Sequence, residues 1–199
     1  QDAIYYIAGE DAGKIAHSPH LEGFKAKGIE VLLLADPVDE FWMQHVTEFE
    51  GKPFKSITRG AADLDAIKGD ETTDEKKQDD DTASLDSLIA AIKQELGVEV
   101  KDVRSSKRLT ESPVCLIADD GDMDVNLERL LKRHGRLQGG GMPRILEINP
   151  GHTMVKKLAE RAGQADAEND PLLKDAAHLL LDQARIADGE APADPVEFG

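Results

Sequence analysis

The run MDVNLERLLKRHGRL, at residues 123–137, constrains the fold more than any other part of the sequence. Its apolar side chains recur at the three-and-four spacing of an amphipathic helix. The resulting helix face carries Met123, Leu127, Leu130, Leu131 and His134. Strand-like runs lie on either side, at 113–119 and 144–150, and the flexible Gly139-Gly140-Gly141 precedes the second run. We expect a helix that need not pack flat onto its own core, so that an exposed part of its face could hold another polypeptide.

Composition and charge exclude several classes of partner. The chain has 199 residues, of which 40% are hydrophobic and 32% charged, so it can bury one good core or two small ones. Its formal net charge of −16 repels a nucleic-acid backbone and an anionic membrane surface alike. The longest apolar stretch, VLLLA at 31–35, is far too short to span a bilayer. We therefore expect no nucleic-acid partner and no membrane association.

The single cysteine indicates a cellular compartment, and the ends of the chain suggest that it belongs to a longer protein. Cys115 lies in the apolar run PVCLI and has no partner for an internal disulfide, which fits a core residue in the reducing cytoplasm. No charged-then-apolar leader opens the sequence. The sequence ends at DPVEFG, where Asp194 and Pro195 have the pattern of a helix start. We expect a cytoplasmic protein, and a chain that is a piece of something longer.

Residues 1–69 alternate between strand and helix signals. Apolar runs at 3–9, 29–34 and 54–58 predict strands, and the continuous run IEVLLL is typical of a parallel strand buried on both faces. The helical stretch between the first two runs is broken at Ser18-Pro19, because the residue before proline avoids helical geometry. These signals predict a small α/β unit.

Asp36 and Pro37 mark a further helix start, since an aspartate cap followed by proline is a common helix N-terminus. Asp39 and Glu40 would lie in the first turn, where carboxylates complement the helix dipole. The expected apolar stripe consists of Val38, Phe41, Trp42, His45 and Val46. Capping explains the acidic cluster, and Asp36 or Glu40 as a catalytic base is the alternative.

A second unit follows an acidic segment. The run KGDETTDEKKQDDDT has no apolar anchor, so we assign residues 70–83 to a solvated acidic linker or to the frayed start of a helix. Residues 84–199 carry an amphipathic helix that ends at Gly97, three strand-like runs and a long helix from Pro171 to Asp188. The broad apolar face of that long helix is typical of packing against another helix. The fold class is α/β (α+β): a small α/β/α subdomain, then a mixed domain with a three-stranded sheet, the amphipathic helix and C-terminal bundle helices.

Catalytic motifs are scarce. His17 and His20 are separated by Pro19, and no further ligand lies nearby in sequence, so a metal site is not expected. The glycine run at 139–141 lacks a following Lys-Ser/Thr and precedes a strand, so it fails as a phosphate loop and as a dinucleotide fingerprint. We expect no catalytic, metal or cofactor site in this chain.

Five strings resemble, in the same order, the heat-shock protein 90 family of molecular chaperones, and its bacterial form most of all. They are YYIAGE, SPHLEGFKAKGIEVLLLADPVDEFWMQ, EFEGKPFKSIT, KDVRSSKRLTESPVCLIAD and LEINPGH. The resemblance implies that residues 1–69 end the middle domain of such a stress-response chaperone and that 84–199 form most of its C-terminal dimerisation domain. It also implies that ATP and Mg bind an N-terminal domain outside this chain, so the chain itself would be no enzyme and would hold no cofactor.

The resemblance further implies two interaction surfaces. Asp39, Glu40 and Phe41 match an acidic, acidic, aromatic pattern of the family, and the amphipathic helix matches at its apolar positions. The implied contacts to unfolded client polypeptides are Glu40, Phe41, Gln44, Met123, Leu127, Leu130 and Leu131. The implied homodimer interface is Leu172, Leu173, Ala176, Leu179, Leu180, Ala184 and Ala187. Because the family pairs the last two helices of each protomer, an incomplete final helix would weaken this homodimer.

Three functions of different classes therefore compete. The first is a non-catalytic chaperone fragment that supplies client contacts and a dimer interface. The second is an interaction module that binds one defined partner through the helix from Met123 to Leu137. The third is a small α/β enzyme that uses Asp36 or Glu40 as a base, which requires a concave pocket around a perturbed carboxylate.

Overall fold

A computed structural model describes residues 1–60, 64, 79–136, 142–164 and 169–192. Its packing divides the chain into two compact units, neither of which is continuous in sequence. Unit 1 consists of Gln1–Asp70 with Ile117–Met142, and unit 2 consists of Glu71–Leu116 with Pro143–Gly199. The domain boundaries at 69 and 84 remain a prediction, and the packing adds that residues 117–142 associate with unit 1.

Unit 1 is built on a four-stranded sheet with the order β2-β1-β4-β3. The strands are β1 (Ile4–Ala8), β2 (Val31–Leu34), β3 (Glu48–Phe49) and β4 (Lys52–Ser56). β1 is parallel to β2, with Tyr5 opposite Val31, and parallel to β4, with Ile4 opposite Phe54. β3 pairs antiparallel with β4 through a tight turn.

The helices of unit 1 are short. They are α1 (Ala12–Ile15), a 3-10 turn (Pro19–Leu21), α2 (Glu22–Ala26), α3 (Asp39–Trp42) and α5 (Val125–Arg133). Ser18 accepts a hydrogen bond from the backbone of His20 and Pro19 follows it, which confirms the break predicted there. A hydrophobic core consists of Ile7, Leu21, Phe24, Ile29, Ile57 and Leu64.

Strand β2 differs from its prediction. The apolar run predicted a strand buried on both faces, but Leu32 is 46% exposed and Leu33 is 42% exposed. β2 lies at the edge of the sheet and pairs with β1 alone among the described strands, so its continuous apolar sequence does not place it in the centre. A run of this kind fits a central parallel strand, and position in the sheet decides its burial.

Asp36 caps the turn that leads into α3, but the helix begins at Asp39 with Val38 as its N-cap, and the predicted stripe is contradicted. The Asp36 carboxylate accepts the Val38 N–H at 3.1 Å, and the Asp39 carboxylate reciprocally accepts the Asp36 N–H at 3.1 Å. The helix is a single turn, so it cannot present a long stripe to a core. Val38 is 58% exposed and Phe41 45% exposed, and the neighbouring Met43 is buried instead.

Unit 2 packs three helices with a small sheet. Its elements are α4 (Asp79–Leu96), β5 (Val100–Ser105), β6 (Val114–Ile117), β7 (Arg144–Ile148), α6 (Thr153–Ala162) and α7 (Pro171–Ala187). The sheet has the predicted three strands, in the order β5-β7-β6, and β5 is parallel to β7. The main core of the unit includes Leu88, Ile92, Val103, Leu146, Val155, Leu173 and Leu180. The α/β class predicted from the sequence is confirmed.

The acidic segment at 70–83 overlaps the start of α4. Helix α4 begins at Asp79, which matches the alternative prediction of a helix start within this segment. A charged run without apolar residues can start a helix because negative charge in the first turn complements the helix dipole. The part of the linker at 70–78 lies outside the described residues, as do the glycines at 139–141 and the segment 194–199.

A buried ionic cluster lies on the unit 2 sheet. Glu147 of β7 is 3% exposed, and its carboxylate accepts hydrogen bonds from Arg104, Ser106 and Arg108, each at 2.9 Å. Arg108 is 1% exposed, so this pair is enclosed by protein. Cys115 is buried beside the cluster, as predicted for a core cysteine. Arg104 and Arg108 therefore neutralise the charge of the buried Glu147.

Candidate functional site

Helix α5 is defined by its caps. Asp124 is the N-cap, and its carboxylate accepts the Asn126 N–H at 3.1 Å. Lys132 and Arg133 lie in the last turn, where positive charge complements the helix dipole, and Gly135 follows with a φ of 63°. The helix is shorter than the run that predicted it, and the predicted end at Leu137 lies outside the described residues.

The apolar side chains of α5 are largely buried. Leu127 is 9% exposed and Leu130 is 7% exposed, while Leu131 and the preceding Met123 are half-buried. Val125, which the predicted face did not include, is buried most deeply at 1% exposed. The expected solvent-exposed face is therefore restricted to Met123, Leu131 and the exposed His134 at the helix end.

Three of the predicted client-contact residues, from separate parts of the chain, line one cavity in unit 1. The cavity has a volume of about 450 Å³, and these residues are Gln44, Met123 and Leu127. Helices α3 and α5 are in contact, so residues about eighty positions apart in sequence come together. Phe41 lies on the exposed side of α3. Glu40 lies in α3, and its side chain falls outside the described part of the structure.

Sequence reasoning missed part of the cavity wall. Tyr6, Met43, Phe54 and Arg59 also line it. Phe54 is in edge-on contact with Tyr6, with ring centroids 6.4 Å apart, and with Trp42, at 6.2 Å. The alternation of the short β4 strand was the available signal, because it places Phe54 and Ser56 on the same face.

A cluster of hydroxyl groups surrounds the α5 cap. The Asp124 carboxylate is buried and accepts hydrogen bonds from Ser56 Oγ at 2.5 Å and from Thr58 Oγ1 at 2.9 Å. Ser56 and Thr58 are also within 2.9 Å of each other. Asp124 is fully occupied as a hydrogen-bond acceptor, so its chemistry here is structural. The Asp39 carboxylate is likewise engaged, by the indole N–H of Trp42 at 2.9 Å.

Helix α7 divides the predicted dimer residues between two faces. Leu173, Leu180 and Ala184 are at most 3% exposed and belong to the unit 2 core. Leu172 and Leu179 are each 47% exposed, and Ala187 is exposed as well. Ala176 is half-buried. With Ile186, which is 43% exposed, Leu172 and Leu179 form a row at heptad spacing along one side of the helix.

A second cavity opens between α6 and α7. Its volume is about 640 Å³, and its wall includes Met154, Arg161 and Leu172. The guanidinium of Arg161 hydrogen-bonds the carboxylate of Asp170, the N-cap of α7, and this contact lowers the pKa of Asp170 and raises that of Arg161. Arg161 at the rim of this cavity is thus already paired with Asp170.

The two histidines considered for a metal lie in different environments. His17 is exposed, with Nδ1 2.8 Å from the Gly13 carbonyl oxygen, whereas His20 is 1% exposed. Within the described ranges, no group of three or more His, Cys, Asp or Glu side chains could hold a metal ion. Over the same ranges, no helix has both the length and the apolar character needed to cross a membrane.

The whole chain matches one protein family, described as Hsp90 protein, over residues 1–199. The chain therefore belongs to the Hsp90 family, and the resemblance predicted from the five strings is confirmed. It is 71% identical over 198 residues to the chaperone protein HtpG of Roseobacter denitrificans. It is 52% identical to the HtpG of Paramagnetospirillum magneticum and 50% identical to that of Nitrobacter winogradskyi. Each match covers 100% of this chain and 30–32% of the relative, so the chain spans about a third of the length of these curated relatives.

Proposed function

We propose that this chain is the part of an ATP-dependent chaperone that contacts unfolded client polypeptides and contributes to homodimerisation. The observation that carries the proposal is the cavity of unit 1, where Gln44, Met123 and Leu127 meet. Its wall mixes apolar side chains, including the flexible Met43 and Met123, with polar and charged ones such as Gln44 and Arg59, and such an adaptable surface suits a site that accepts many different sequences. The relatives are chaperones, which fits a client of no fixed sequence.

ATP hydrolysis belongs, in this proposal, to the rest of the parent protein. The chain spans about a third of its HtpG relatives, and the glycine run lacks the features of a phosphate loop. We place the protein in the cytoplasm, because its single buried cysteine needs no oxidising compartment. Its role is therefore to bind polypeptides without chemical change.

Binding to a permanently unfolded polypeptide, reduced and carboxymethylated α-lactalbumin, tests the client contacts. Polar replacement of the half-buried Met123 together with the exposed Phe41, as Met123→Ser and Phe41→Ser, should weaken binding by at least about tenfold, since burial of each apolar side chain contributes about 1.5–3 kcal/mol. Val98→Ser is the matched control, because Val98 is 91% exposed and belongs to unit 2. Equal affinities for the two variants would refute the proposed site.

The alternative of one defined partner predicts a different result in the same assay. A dedicated interface buries a fixed set of anchor residues and discriminates sharply between ligands. A chaperone surface should instead bind several unrelated unfolded polypeptides with affinities within about tenfold of one another. Preference for a single ligand by a much larger factor would favour the interaction module.

A further inference from the structure

Helix α5 buries apolar and polar side chains together. Val125, Leu127 and Leu130 are buried on unit 1. The buried face also includes a charge, Glu128, which is 2% exposed and is paired with Lys132 at 2.7 Å. A helix of this kind covers the unit 1 surface, and apolar packing alone does not account for its position.

Polar contacts at the first turn hold α5 in place. Asp124 accepts hydrogen bonds from Ser56 at 2.5 Å and from Thr58 at 2.9 Å. The side-chain amide of Asn126 donates to the Ala8 carbonyl oxygen at 2.5 Å. Ala8 and Ser56 are the last residues of β1 and β4, so the helix is fastened to the carboxyl ends of two adjacent parallel strands.

This position is where open α/β sheets of this topology bind their ligands. The chain passes from β1 to β2 on one side, and its next parallel strand, β4, lies on the other side of β1. Such a reversal leaves a crevice at the carboxyl ends of the two strands, which is the usual ligand position. Here the first turn of α5 occupies the crevice, with the Asp124 carboxylate as an internal anion.

We propose that Ser56, Thr58 and Asp124 form a polar latch that holds α5 closed over the cavity and opens to expose Leu127 and Leu130 to clients. The Asp124 carboxylate is satisfied by the two hydroxyl groups when α5 is docked and by water when it is not. Opening therefore leaves no buried charge behind, and its cost is the exposure of Val125, Leu127 and Leu130, which a bound client would cover again. The client arm of this inference rests on the proposed function, and the latch itself does not.

Hydrogen exchange on the full chain tests the latch. Ser56→Ala with Thr58→Val removes both donors and leaves the Asp124 carboxylate buried with the backbone N–H of Asn126. The amides of residues 125–133 should then exchange at least about tenfold faster for each hydrogen bond lost, because bonds to charged groups are among the stronger ones. The amides of β7 in unit 2 should be unaffected. Ser87→Ala is the control, since Ser87 is an exposed serine whose hydroxyl donates only to the Ala83 carbonyl oxygen.

Client affinity distinguishes a latch from a merely structural contact. With a latch, the double variant should bind reduced and carboxymethylated α-lactalbumin several-fold more tightly than the unchanged chain, because more molecules have α5 open. A structural contact predicts weaker or unchanged binding, and that result would overturn the latch.

Three further outcomes complete the test. Unchanged exchange at 125–133 in the double variant would overturn the latch whatever the affinities. If neither chain binds the unfolded polypeptide, the proposed function fails, and the exchange rates alone decide the latch. If the double variant loses protection in β7 too, Asp124→Asn replaces it, since the amide keeps an acceptor for Asn126 and should still accelerate exchange in α5 alone.

Discussion

Helices α5 and α7 are both amphipathic, but they are fastened to their units in different ways. α7 inserts Leu173, Leu180 and Ala184 into the core of unit 2, while Leu172 and Leu179 stay exposed. α5 buries Val125, Leu127 and Leu130 on unit 1, and hydrogen bonds to the Asp124 carboxylate fasten its first turn. A core-bound helix displays its second face at all times, whereas a helix held by polar contacts can display its apolar face only when they open.

From this difference we propose separate tasks for the two helices. The exposed row on α7 suits a lasting contact with a second copy of the chain, because no rearrangement is needed before association. The buried row on α5 suits a transient contact, whose strength depends on how often the helix opens. Substitutions test whether the two helices are attached in these different ways, and the leucines of α7 should show the largest effect.

Two neighbouring leucines of α7 should differ strongly in their effect on stability. Leu180 is 1% exposed, so Leu180→Ala should lower the free energy of unfolding of unit 2 by about 2–5 kcal/mol through lost burial and a cavity. Leu179 is 47% exposed, and Leu179→Ala should change it by less than about 0.5 kcal/mol. Urea denaturation followed by circular dichroism measures both. Similar losses for the two variants would mean that Leu179 is also enclosed.

Self-association should depend on the exposed row of α7. We expect a dimer with a dissociation constant in the micromolar range or above, and Leu179→Asp should weaken it by at least about tenfold because a carboxylate would be buried at the seam. Sedimentation over a concentration series measures it. Leu32→Asp is a matched control on the exposed edge strand of unit 1. A dimer that persists at nanomolar concentration, or one that is insensitive to Leu179→Asp, would place the interface elsewhere.

Leu127 on α5 should matter less for stability than Leu180 on α7. Leu127→Ala should cost about 0.5–2 kcal/mol, below the range expected for Leu180→Ala, because a loosely attached helix can open locally without unfolding its unit. Leu64→Ala provides the reference within unit 1, since Leu64 lies in its core. Denaturation monitored by tryptophan fluorescence reports on unit 1, which contains the sole tryptophan, Trp42. A loss for Leu127→Ala as large as that for Leu64→Ala would mean that α5 does not open locally before unit 1 unfolds.

The sequence predicted most elements because their local signals are strong. The parallel strands, the break at Pro19 and the reciprocal caps of α3 follow from side-chain periodicity and capping chemistry alone. Burial of β2 could not be predicted in this way, because VLLL reads the same in an edge strand as in a central one. The exposure of Phe41 likewise depends on the length of α3. Capping residues indicate where a helix begins, but they do not determine where it ends.

The candidate site was only partly predictable for a similar reason. The spacing of α5 and α7 reveals that each helix has an apolar face, but it does not state which neighbour covers the face. Glu128 illustrates this limit of sequence patterns. A glutamate in an amphipathic helix is ordinarily solvated, but Glu128 is buried and paired with Lys132. The cluster of Ser56, Thr58 and Asp124 joins residues that are distant in sequence, and only the fold brings them together.

The smallest expected effect concerns an exposed counterpart of the buried polar cluster, the pair of Lys93 on α4 and Asp102 on β5. Lys93 Nζ lies 2.6 Å from the Asp102 carboxylate, and this hydrogen bond lowers the pKa of Asp102 below its ordinary 3.8. Because the folded-state pKa is the lower one, the pair stabilises unit 2 fully above the unfolded pKa, and that stability is lost as the pH falls through the folded pKa. The side chains are 57% and 43% exposed, so screening limits the contribution to at most about 1 kcal/mol.

Urea denaturation between about pH 6 and pH 3 measures this contribution. The free energy of unfolding should fall slightly more steeply with acid for the unchanged chain than for Asp102→Asn. A loss of several kcal/mol confined to the unchanged chain would mean that exposed ion pairs, and not only buried ones, hold this protein together.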